Sequence, residues 1–350
     1  MSIEEFIFKK NGWIKAEGPK SNIVMSTRVR LARNIKGHMY FNWADEKNRL
    51  KTLNSLINAF KKSNFLNKAL FLKIKDLSDI DRKFLFERHL MSKEHMKEIE
   101  NKALIVEKNE VLSIMLNEED HIRFQVLQSG FNIMEAWRIV DRIDTEIEQY
   151  ISFDYSSRFG YLTSCPTNTG TGLRASVMLH LSALAMSNQI KKVFDTISKL
   201  GLTIRGFYGE GTEALGDFFQ ISNQIALGYS EMEILDNLEK IITKIIIKEE
   251  EIRQTFLKAK KQEIEDKVFR AFGVLKNARI ITSNETIKLL SIIRLGVDLG
   301  FIRNLNITTI NEILFFVQPA HLQKINGNII DSYERDVIRA KIIREKLAKI

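Results

Sequence analysis

Two arginines of this sequence are spaced so that they could hold a phosphate group together. Arg28 and Arg30 alternate with apolar residues in the stretch STRVRLARN, so an extended strand would place both guanidinium groups on one face. Two like charges on one strand face repel each other unless an anion or a carboxylate lies between them. The alternative is an exposed edge strand whose charges discourage aggregation. The pattern leaves both interpretations open.

Further arginines lie beside glycines or in alternating stretches. Arg123 alternates with apolar residues in HIRFQVL and shares a face with His121 and Gln125, Arg174 follows the glycines of GTGLRA, and Arg205 precedes a glycine. The six residues 170–175 fit the G-x-G-x-x-A pattern of a dinucleotide-binding turn, which requires a strand before the turn and a helix after it. Asp195, at the distance expected for a ribose-binding acid, lies in KKVFDTISKLG, which has a helical pattern rather than that of a strand. The alternative is a helix N-terminus that binds phosphate together with Arg174.

The elements that would position these arginines include both strands and helices. VLSIML and HIRFQVL flank the polar NEED and predict an antiparallel hairpin, and DFFQISNQIAL supplies another apolar run. Helical patterns fit Glu46–Ser63, Ile133–Tyr150 and Arg174–Ser187. From about Ser230 onward the pattern is helical almost throughout. We therefore predict an α+β domain built around an antiparallel sheet at 1–252 and an all-helical domain at 253–350.

Composition excludes several classes of protein. Of 350 residues, 44% are hydrophobic and 28% charged, as in ordinary globular proteins, and the net charge is +9. A basic balance favours acidic partners such as nucleic acid, anionic membrane or phosphorylated ligands, but a lysine-rich solvated surface gives the same number. We see no recognition helix, no aromatic stacking motif and no run of about 20 apolar residues, so neither direct nucleic-acid binding nor a membrane partner is expected. Cys165 is the only cysteine and no leader peptide is visible, which favours the cytoplasm.

Four stretches together resemble a known family. STRVRLARN, NEEDHIR, CPTNTGTGLRASVMLHL and RGFYGEGTEALGDFFQISNQ are similar, in order and spacing, to the phosphagen (guanidino) kinases, and most of all to the bacterial protein arginine kinases of the McsB type. The resemblance covers most of residues 20–250. It implies an antiparallel sheet ringed by helices, with arginines around the phosphates of ATP and with Mg²⁺ carried by the nucleotide. The sequence itself shows no cluster of carboxylates with metal-ligand spacing, and its six histidines are scattered, so no metal site made of side chains is expected.

The resemblance also implies which residues line the nucleotide site. His89, in ERHL, matches more loosely than the others and would otherwise be interpreted as a packing histidine. The ATP-binding residues expected from the resemblance are Ser26, Thr27, Arg28, Val29, Arg30, His89, Arg123, Arg174, Ala175, Ser176, Val177, Met178, Arg205, Gly206, Phe207, Tyr208, Gly209 and Glu210.

Phosphoryl transfer to a guanidino group needs an activated acceptor. A guanidinium has a pKa above about 12 and is a poor nucleophile while protonated, so carboxylates must orient it and accept a proton. Glu119 and Glu213 match the family's two catalytic glutamates, which implies Glu119 as general base and Glu213 as orienting partner. Glu118, Asp120 and Glu210 are local alternatives. Cys165 matches the family's active-site cysteine, whose thiolate would complement the guanidinium.

Two features distinguish this sequence from the members of the family that act on metabolites. Family members that act on metabolites carry an arginine where this sequence has Tyr208, so one fewer arginine would contact the phosphates. Those members also carry a helical domain before the STRVR strand, where only 25 residues precede Ser26 here. The resemblance therefore implies an open pocket that admits an arginine side chain of a protein.

A second motif lies near the C-terminus. Arg335, Asp336, Arg339 and Ala340 match the R-D-x-x-R-A motif with which McsB-type kinases bind phosphoarginine. At i, i+4 spacing the two arginines share a helix face, where they would repel each other unless an anion binds. A solvated, charged helix face is the alternative.

The predicted function is an ATP-dependent protein arginine kinase. The resemblance implies protein substrates with exposed arginines, an activator protein, a heat-shock repressor as substrate, a Clp-type unfoldase–protease that receives marked proteins, and a homodimer formed through the C-terminal helices. Two alternatives stay open: a phosphoarginine-binding adaptor without activity, and a kinase of free arginine.

Overall fold

The structure, a computed structural model, describes residues 2–10, 12–206 and 215–348. Within those ranges the strands are β1 Val24–Arg33, β2 Leu70–Lys73, β3 Ala103–Val106, β4 Leu112–Leu116, β5 Ile122–Ser129, β6 Tyr155–Ser156, β7 Gly160–Tyr161, β8 Leu173–His180, β9 Leu202–Arg205 and β10 Phe218–Asn223. The helices are α1 Glu46–Phe60, α2 Asp79–Glu87, α3 Ile133–Glu148, α4 Ser182–Met186, α5 Ile190–Lys199, α6 Glu231–Ala259, α7 Lys261–Asn277, α8 Ser283–Asp298, α9 Ile307–Phe316, α10 Pro319–Asn326 and α11 Ser332–Leu347.

A single antiparallel sheet organises the first two thirds of the described chain. Its strand order is β2-β3-β4-β5-β1-β8-β10-β9, and every neighbouring pair runs antiparallel. The predicted hairpin is confirmed as β4 and β5, and strand β10 corresponds to the predicted apolar run. The fold class predicted from the sequence is thus confirmed.

The two faces of this sheet differ in polarity because the central strands alternate. Arg30 lies opposite Arg174 of β8 and opposite Gln125 of β5, so three polar side chains share one face. The other face carries residues such as Val29 and Phe124, both fully buried in the main hydrophobic core. Helix α3 packs against β1 and β5, and α6 packs against β8 and β10. Burial of the apolar face fixes the register, and the register fixes where the arginines lie.

The predicted helix over Arg174–Ser187 is wrong. Residues 173–180 form the central strand β8, and a short helix follows only at Ser182. At Gly172 the backbone φ is +68°, and a Cβ atom there would lie 2.5 Å from the carbonyl oxygen of Ala32. The glycines of GTGLRA therefore turn the chain into a strand that lies close to β1. Both interpretations that require a helix starting at Arg174, the dinucleotide turn and the helix N-terminal phosphate site, are wrong.

The helical region begins before the predicted boundary at 252. Helix α6 starts with a capping box at Ser230 and runs without a break to Ala259, so residue 252 lies inside it. On α6, buried Arg253 bonds to Glu249 at 2.9 Å and to Asp298 of α8 at 2.6 Å. None of the helices in the described ranges combines the length and apolar character that a membrane span requires.

Candidate active site

A cleft lies over the polar face of the sheet. It consists of a larger cavity of about 800 Å³ and a smaller one of about 390 Å³. The two cavities adjoin, because they share the lining residues Arg30, Glu94, Glu118, Arg123 and Arg205. A ligand in one cavity would therefore contact a ligand in the other across a set of arginines.

Five arginines from four strands meet in this cleft. Arg28 and Arg30 come from β1, and the others are Arg123 of β5, Arg174 of β8 and Arg205 of β9. Arg28 donates from Nη2 to Oε1 of Gln220 on β10, at 2.9 Å. This hydrogen bond fixes the Arg28 guanidinium against the sheet, but it does not test the predicted role of Arg28 in binding ATP.

The cleft has a strongly positive potential. Burial, followed by the charges of Arg123, Arg174 and Arg205, lowers the pKa of Arg28 to about 10. Burial and the neighbouring guanidinium groups also lower the pKa of Arg30 well below its usual range. With a pKa of about 10, Arg28 keeps its charge near neutral pH, so the fold holds like charges close together. A polyanion in the cleft would relieve that repulsion.

Glu118 forms an ion pair with one of these arginines. Its carboxylate lies 2.7 Å from Nη1 of Arg123 and also accepts a hydrogen bond from the Ser92 hydroxyl. Burial alone would raise the pKa of Glu118, but Arg123 and Ser92 hold it at about 2. Asp120 is likewise occupied, since it accepts hydrogen bonds from Nδ2 of Asn34 and from the backbone N–H of Ser164.

Glu119 differs from both of its acidic neighbours. Its carboxylate lines the larger cavity, is 36% exposed and lies 3.5 Å from Nη2 of Arg123. Burial raises its pKa, and the adjacent charges of Asp120 and Glu118 add to that effect while Arg123 opposes it. A carboxylate that is accessible, partly desolvated and of raised pKa is suited to accept a proton.

Cys165 lines the same cavity. It is partly buried, and its Sγ lies 3.0 Å from Oγ1 of Thr167. The segment that carries it is fixed next to the acidic turn, because the Ser164 hydroxyl donates to the carbonyl oxygen of Glu119 at 2.9 Å. The structure therefore brings two of the three predicted catalytic residues to one cavity. The third, Glu213, lies outside the described residues.

The smaller cavity collects the other predicted nucleotide residues. Ser26, His89, Ser176 and Met178 line it together with Arg28. Burial, followed by the charge of Arg28, lowers the pKa of His89 to about 3, so its ring is neutral at physiological pH. Its ring centroid lies 5.8 Å from that of Trp13 and 6.4 Å from that of Phe315.

Other predicted residues do not reach the cleft with their side chains. Thr27, Val29, Ala175 and Val177 alternate with the cleft residues and point to the opposite face, where all four are completely buried. Gly206 is buried at the edge of the described range, and Phe207, Tyr208, Gly209 and Glu210 lie outside the described residues.

The C-terminal motif lies on the buried side of α11. Arg339 donates from Nε to the carbonyl oxygen of Val317 and from Nη1 to that of Ile281, both at 2.9 Å, and it also pairs with Asp336. Ala340 is buried beside it, while half-buried Arg335 donates to the carbonyl oxygen of Ile330 at 3.0 Å. The interpretation as a solvated helix face is therefore wrong for Arg339.

Sequence reasoning missed some residues of the cleft. Gln220 accepts the hydrogen bond from Arg28. It shares one face of β10 with Ser222, each of them next to apolar residues, so the period of two along this strand could have indicated Gln220 as a cleft residue. Glu94 lines both cavities from a segment without regular structure, where no periodic pattern could point to it.

Comparisons with known proteins find two family matches that together cover most of the chain. Residues 51–252 match the family described as ATP:guanido phosphotransferase, C-terminal catalytic domain, and residues 261–350 match the family described as protein-arginine kinase McsB C-terminal domain. Proteins named protein-arginine kinase are similar over nearly the whole chain. The one from Desulforamulus reducens is 44% identical, over 99% of this chain and 98% of its own length. The one from Halothermothrix orenii is 42% identical over 99% of both chains.

Solved structures are similar over about two thirds of the chain. The duplicated taurocyamine kinase of Schistosoma mansoni, solved with bound transition-state-analogue components, superposes with a TM-score of 0.61 at 26% identity. The match covers 66% of this chain and 33% of that duplicated chain. A lombricine kinase gives a TM-score of 0.60 at 25% identity, over 66% of this chain and 67% of its own.

Proposed function

The chain belongs to the ATP:guanido phosphotransferase family, within the group of McsB-type protein-arginine kinases, and from that premise we propose that it transfers the γ-phosphoryl group of ATP to arginine side chains of proteins. The observation that supports this best is the juxtaposition of five arginines with an accessible glutamate of raised pKa in one cleft. The arginines suit a triphosphate, and the glutamate suits a cationic acceptor.

The arginines would act on the phosphates. In phosphoryl transfer the negative charge spreads over the oxygens of the transferred group, so catalysis consists chiefly of positioning and electrostatic stabilisation. Arg28, close to His89 and Ser176, would bind at the smaller cavity, where we place the nucleoside end of ATP. Arg30, Arg123 and Arg205 line both cavities and would hold the transferred phosphoryl group between donor and acceptor. We propose that Mg²⁺ accompanies ATP, bound by phosphate oxygens and water, which are its preferred ligands.

Glu119 would act on the acceptor. The target guanidinium enters the larger cavity, where the carboxylate of Glu119 aligns one of its nitrogens and removes a proton as that nitrogen attacks the γ-phosphorus. A nitrogen–phosphorus bond forms, the bond from phosphorus to the bridging oxygen breaks, and ADP leaves with the electron pair of that bond. We assign Glu213 as the orienting partner from the family motif, and Cys165 as a group whose thiolate would complement the acceptor's charge.

The test is direct. The full-length protein, incubated with MgATP and an arginine-rich protein, is expected to produce phosphoarginine, which mass spectrometry detects when samples are kept out of acid. Phosphorylation of free arginine alone would reassign the protein as a metabolite kinase. If the protein phosphorylated neither and still bound phosphoarginine, it would be an adaptor without activity.

The C-terminal motif supports a regulatory extension of this proposal. We propose that Arg335, Asp336, Arg339 and Ala340 bind phosphoarginine from marked proteins. Arg335 is half-buried at a junction of helices and can offer its guanidinium to a phosphate, whereas Arg339 already bonds to two carbonyl oxygens and would shape the pocket. Calorimetry that finds no binding of free phosphoarginine would refute this extension.

The family relationship suggests the biological setting. We propose a cytoplasmic protein of the stress response that works with an activator protein, phosphorylates a heat-shock repressor, and passes marked proteins to a Clp-type unfoldase–protease. We also propose a homodimer formed through the C-terminal helices, which sedimentation showing only monomer at micromolar concentration would contradict.

A further inference from the structure

A tryptophan stands exposed beside the acceptor cavity. Trp43 is 77% exposed, although an indole ring of this size normally contributes a large buried apolar area. Its ring stacks on that of Tyr40, with centroids 6.1 Å apart and planes 13° from parallel. Its backbone N–H donates to the carbonyl oxygen of Tyr40 at 2.9 Å, which closes a tight turn over residues 40–43.

The turn is held firmly, so the exposure of Trp43 does not result from a loose chain. The Tyr40 hydroxyl donates to Oδ2 of Asp154 at 2.6 Å. Arg49 donates from Nε to the carbonyl oxygen of Phe41 at 3.0 Å, and its guanidinium lies 4.1 Å from the centroid of the Phe41 ring. A fixed turn that presents a large apolar side chain to solvent is typical of a recognition surface.

This turn is continuous with the cavity in which Glu119 lies. Phe41 and Asn42, the residues just before Trp43, line the larger cavity together with Glu119 and Cys165. This turn therefore forms part of the wall of the cavity that a target arginine would enter to reach Glu119.

A second exposed aromatic residue lies next to the residue that anchors this turn. Tyr155 is 59% exposed, and it follows Asp154, the residue to which Tyr40 is hydrogen-bonded. The ring of Tyr155 lies 5.3 Å from that of Tyr161, so it too is supported from behind. We call Tyr40, Trp43 and Tyr155 the aromatic rim.

We propose that the aromatic rim binds an extended segment of the substrate polypeptide and selects arginines that have an apolar neighbour, which packs on Trp43. The inference rests on the proposed function and specifies its substrate class. Residues of an extended segment follow one another at ~3.3 Å, so a side chain one or two positions from the target arginine falls within reach of the turn. Tryptophan and tyrosine provide large contact areas at little cost in side-chain entropy, which suits a surface that reads many sequences. Free arginine has no neighbouring residues and gains nothing from the rim.

The experiment compares two peptides of equal length, each with one arginine flanked by leucines or by serines, as substrates of the full-length protein with MgATP. We expect the wild type to favour the leucine peptide by about tenfold in kcat/KM, because partial burial of one apolar side chain contributes about this factor. Trp43→Ala should bring the ratio close to one, while Trp43→Phe should keep part of the preference. Phe8→Ala is the matched control, since Phe8 is 72% exposed and lines neither cavity. It should keep the full ratio.

The outcomes separate this inference from the function on which it rests. Equal use of both peptides by the wild type, or an unchanged ratio in Trp43→Ala, would overturn the inference and leave the protein kinase activity standing. Phosphorylation of free arginine but of neither peptide would refute the proposed function itself. A change in sedimentation of Trp43→Ala with no change in the ratio would show that the rim binds a second copy of the chain, which also overturns the proposal.

Discussion

Glu118 and Glu119 are adjacent in sequence but differ in their chemistry in the folded protein. Glu118 is buried against Arg123 and has a pKa of about 2, so it serves as a fixed negative charge that orients an arginine. Glu119 is accessible from the larger cavity and has a raised pKa. Both residues line the larger cavity, but the carboxylate of Glu118 is buried against Arg123 and Ser92, whereas that of Glu119 is more exposed.

Glu119→Gln tests the assignment of the base. The substitution keeps the size of the side chain but removes its ability to accept a proton, and we expect kcat to fall by about 10² to 10⁴-fold, the usual contribution of a general base. The affinity for MgADP should change little. The measurement is phosphoryl transfer to an arginine-containing peptide, with Glu135→Gln as control, because Glu135 is an exposed residue of α3. Activity within threefold of the wild type would refute the role of Glu119.

The acid side of the wild-type pH profile follows from the same residue. The base must be deprotonated, so kcat/KM should fall as the pH drops through the pKa of Glu119, which lies above the value of about 4.3 for an ordinary glutamate.

At the scale of elements, the sequence predicted β1, β4, β5 and β10 and failed at β8. The alternation in β1 and the hairpin of β4 and β5 could be predicted because one face of each strand is polar and the other is packed. LRASVMLHLSALAM is rich in leucine, alanine and methionine, which are strong helix formers. Its strand conformation is imposed by pairing with β1 on one side and β10 on the other, which local propensity does not report.

The candidate site was only partly predictable for a related reason. The alternation of polar and apolar residues along β1 could be predicted, and it placed Arg28 and Arg30 on the same face of the strand. The sequence did not show that Arg30 lies opposite Arg174, since that depends on the pairing of distant strands. The quoted motifs supplied this information through resemblance to a family, not through local physics.

One contact between elements makes stability depend on pH. Glu87, the last residue of α2, accepts hydrogen bonds from the backbone N–H groups of Ala320 and His321 at the start of α10, at 2.8 and 2.9 Å. Burial raises its pKa to about 7, although the two N–H groups act in the opposite direction. The folded state therefore binds a proton more tightly than the unfolded chain, in which the pKa is about 4.3. The stabilisation is complete below about pH 4.3 and is lost as the pH rises through about 7.

Glu87→Gln should remove this pH dependence. We expect the Tm of the wild type, measured relative to that of the variant, to be higher at pH 5 than at pH 8. Thermal unfolding followed by circular dichroism provides the measurement. Glu345→Gln, at an exposed position on α11, should show the same Tm difference at both pH values. A constant difference for Glu87→Gln as well would contradict the account of this contact.

At the scale of the whole molecule, the helical C-terminal region packs against the catalytic sheet domain. Phe315 of α9 lies 4.5 Å from the ring of Trp13 and 6.4 Å from that of His89, which lines the smaller cavity. Helix α10 is joined to α2 through Glu87, and Arg294 of α8 pairs with Asn311 at 2.7 Å. The helical C-terminal region thus packs directly against a residue that lines the smaller cavity.

We propose that the molecule as a whole binds its two substrates side by side. The arginines of one sheet face bind the triphosphate of ATP, while Glu119 binds the guanidinium of the acceptor. The most direct measurement is a crystal structure of the full-length protein with Mg²⁺, a non-hydrolysable ATP analogue and an arginine-containing peptide. We predict phosphate oxygens within about 3 Å of the guanidinium groups of Arg28, Arg123 and Arg174, and a peptide guanidinium hydrogen-bonded to Glu119. Phosphates bound away from these three arginines, or a peptide arginine that does not reach Glu119, would contradict the account.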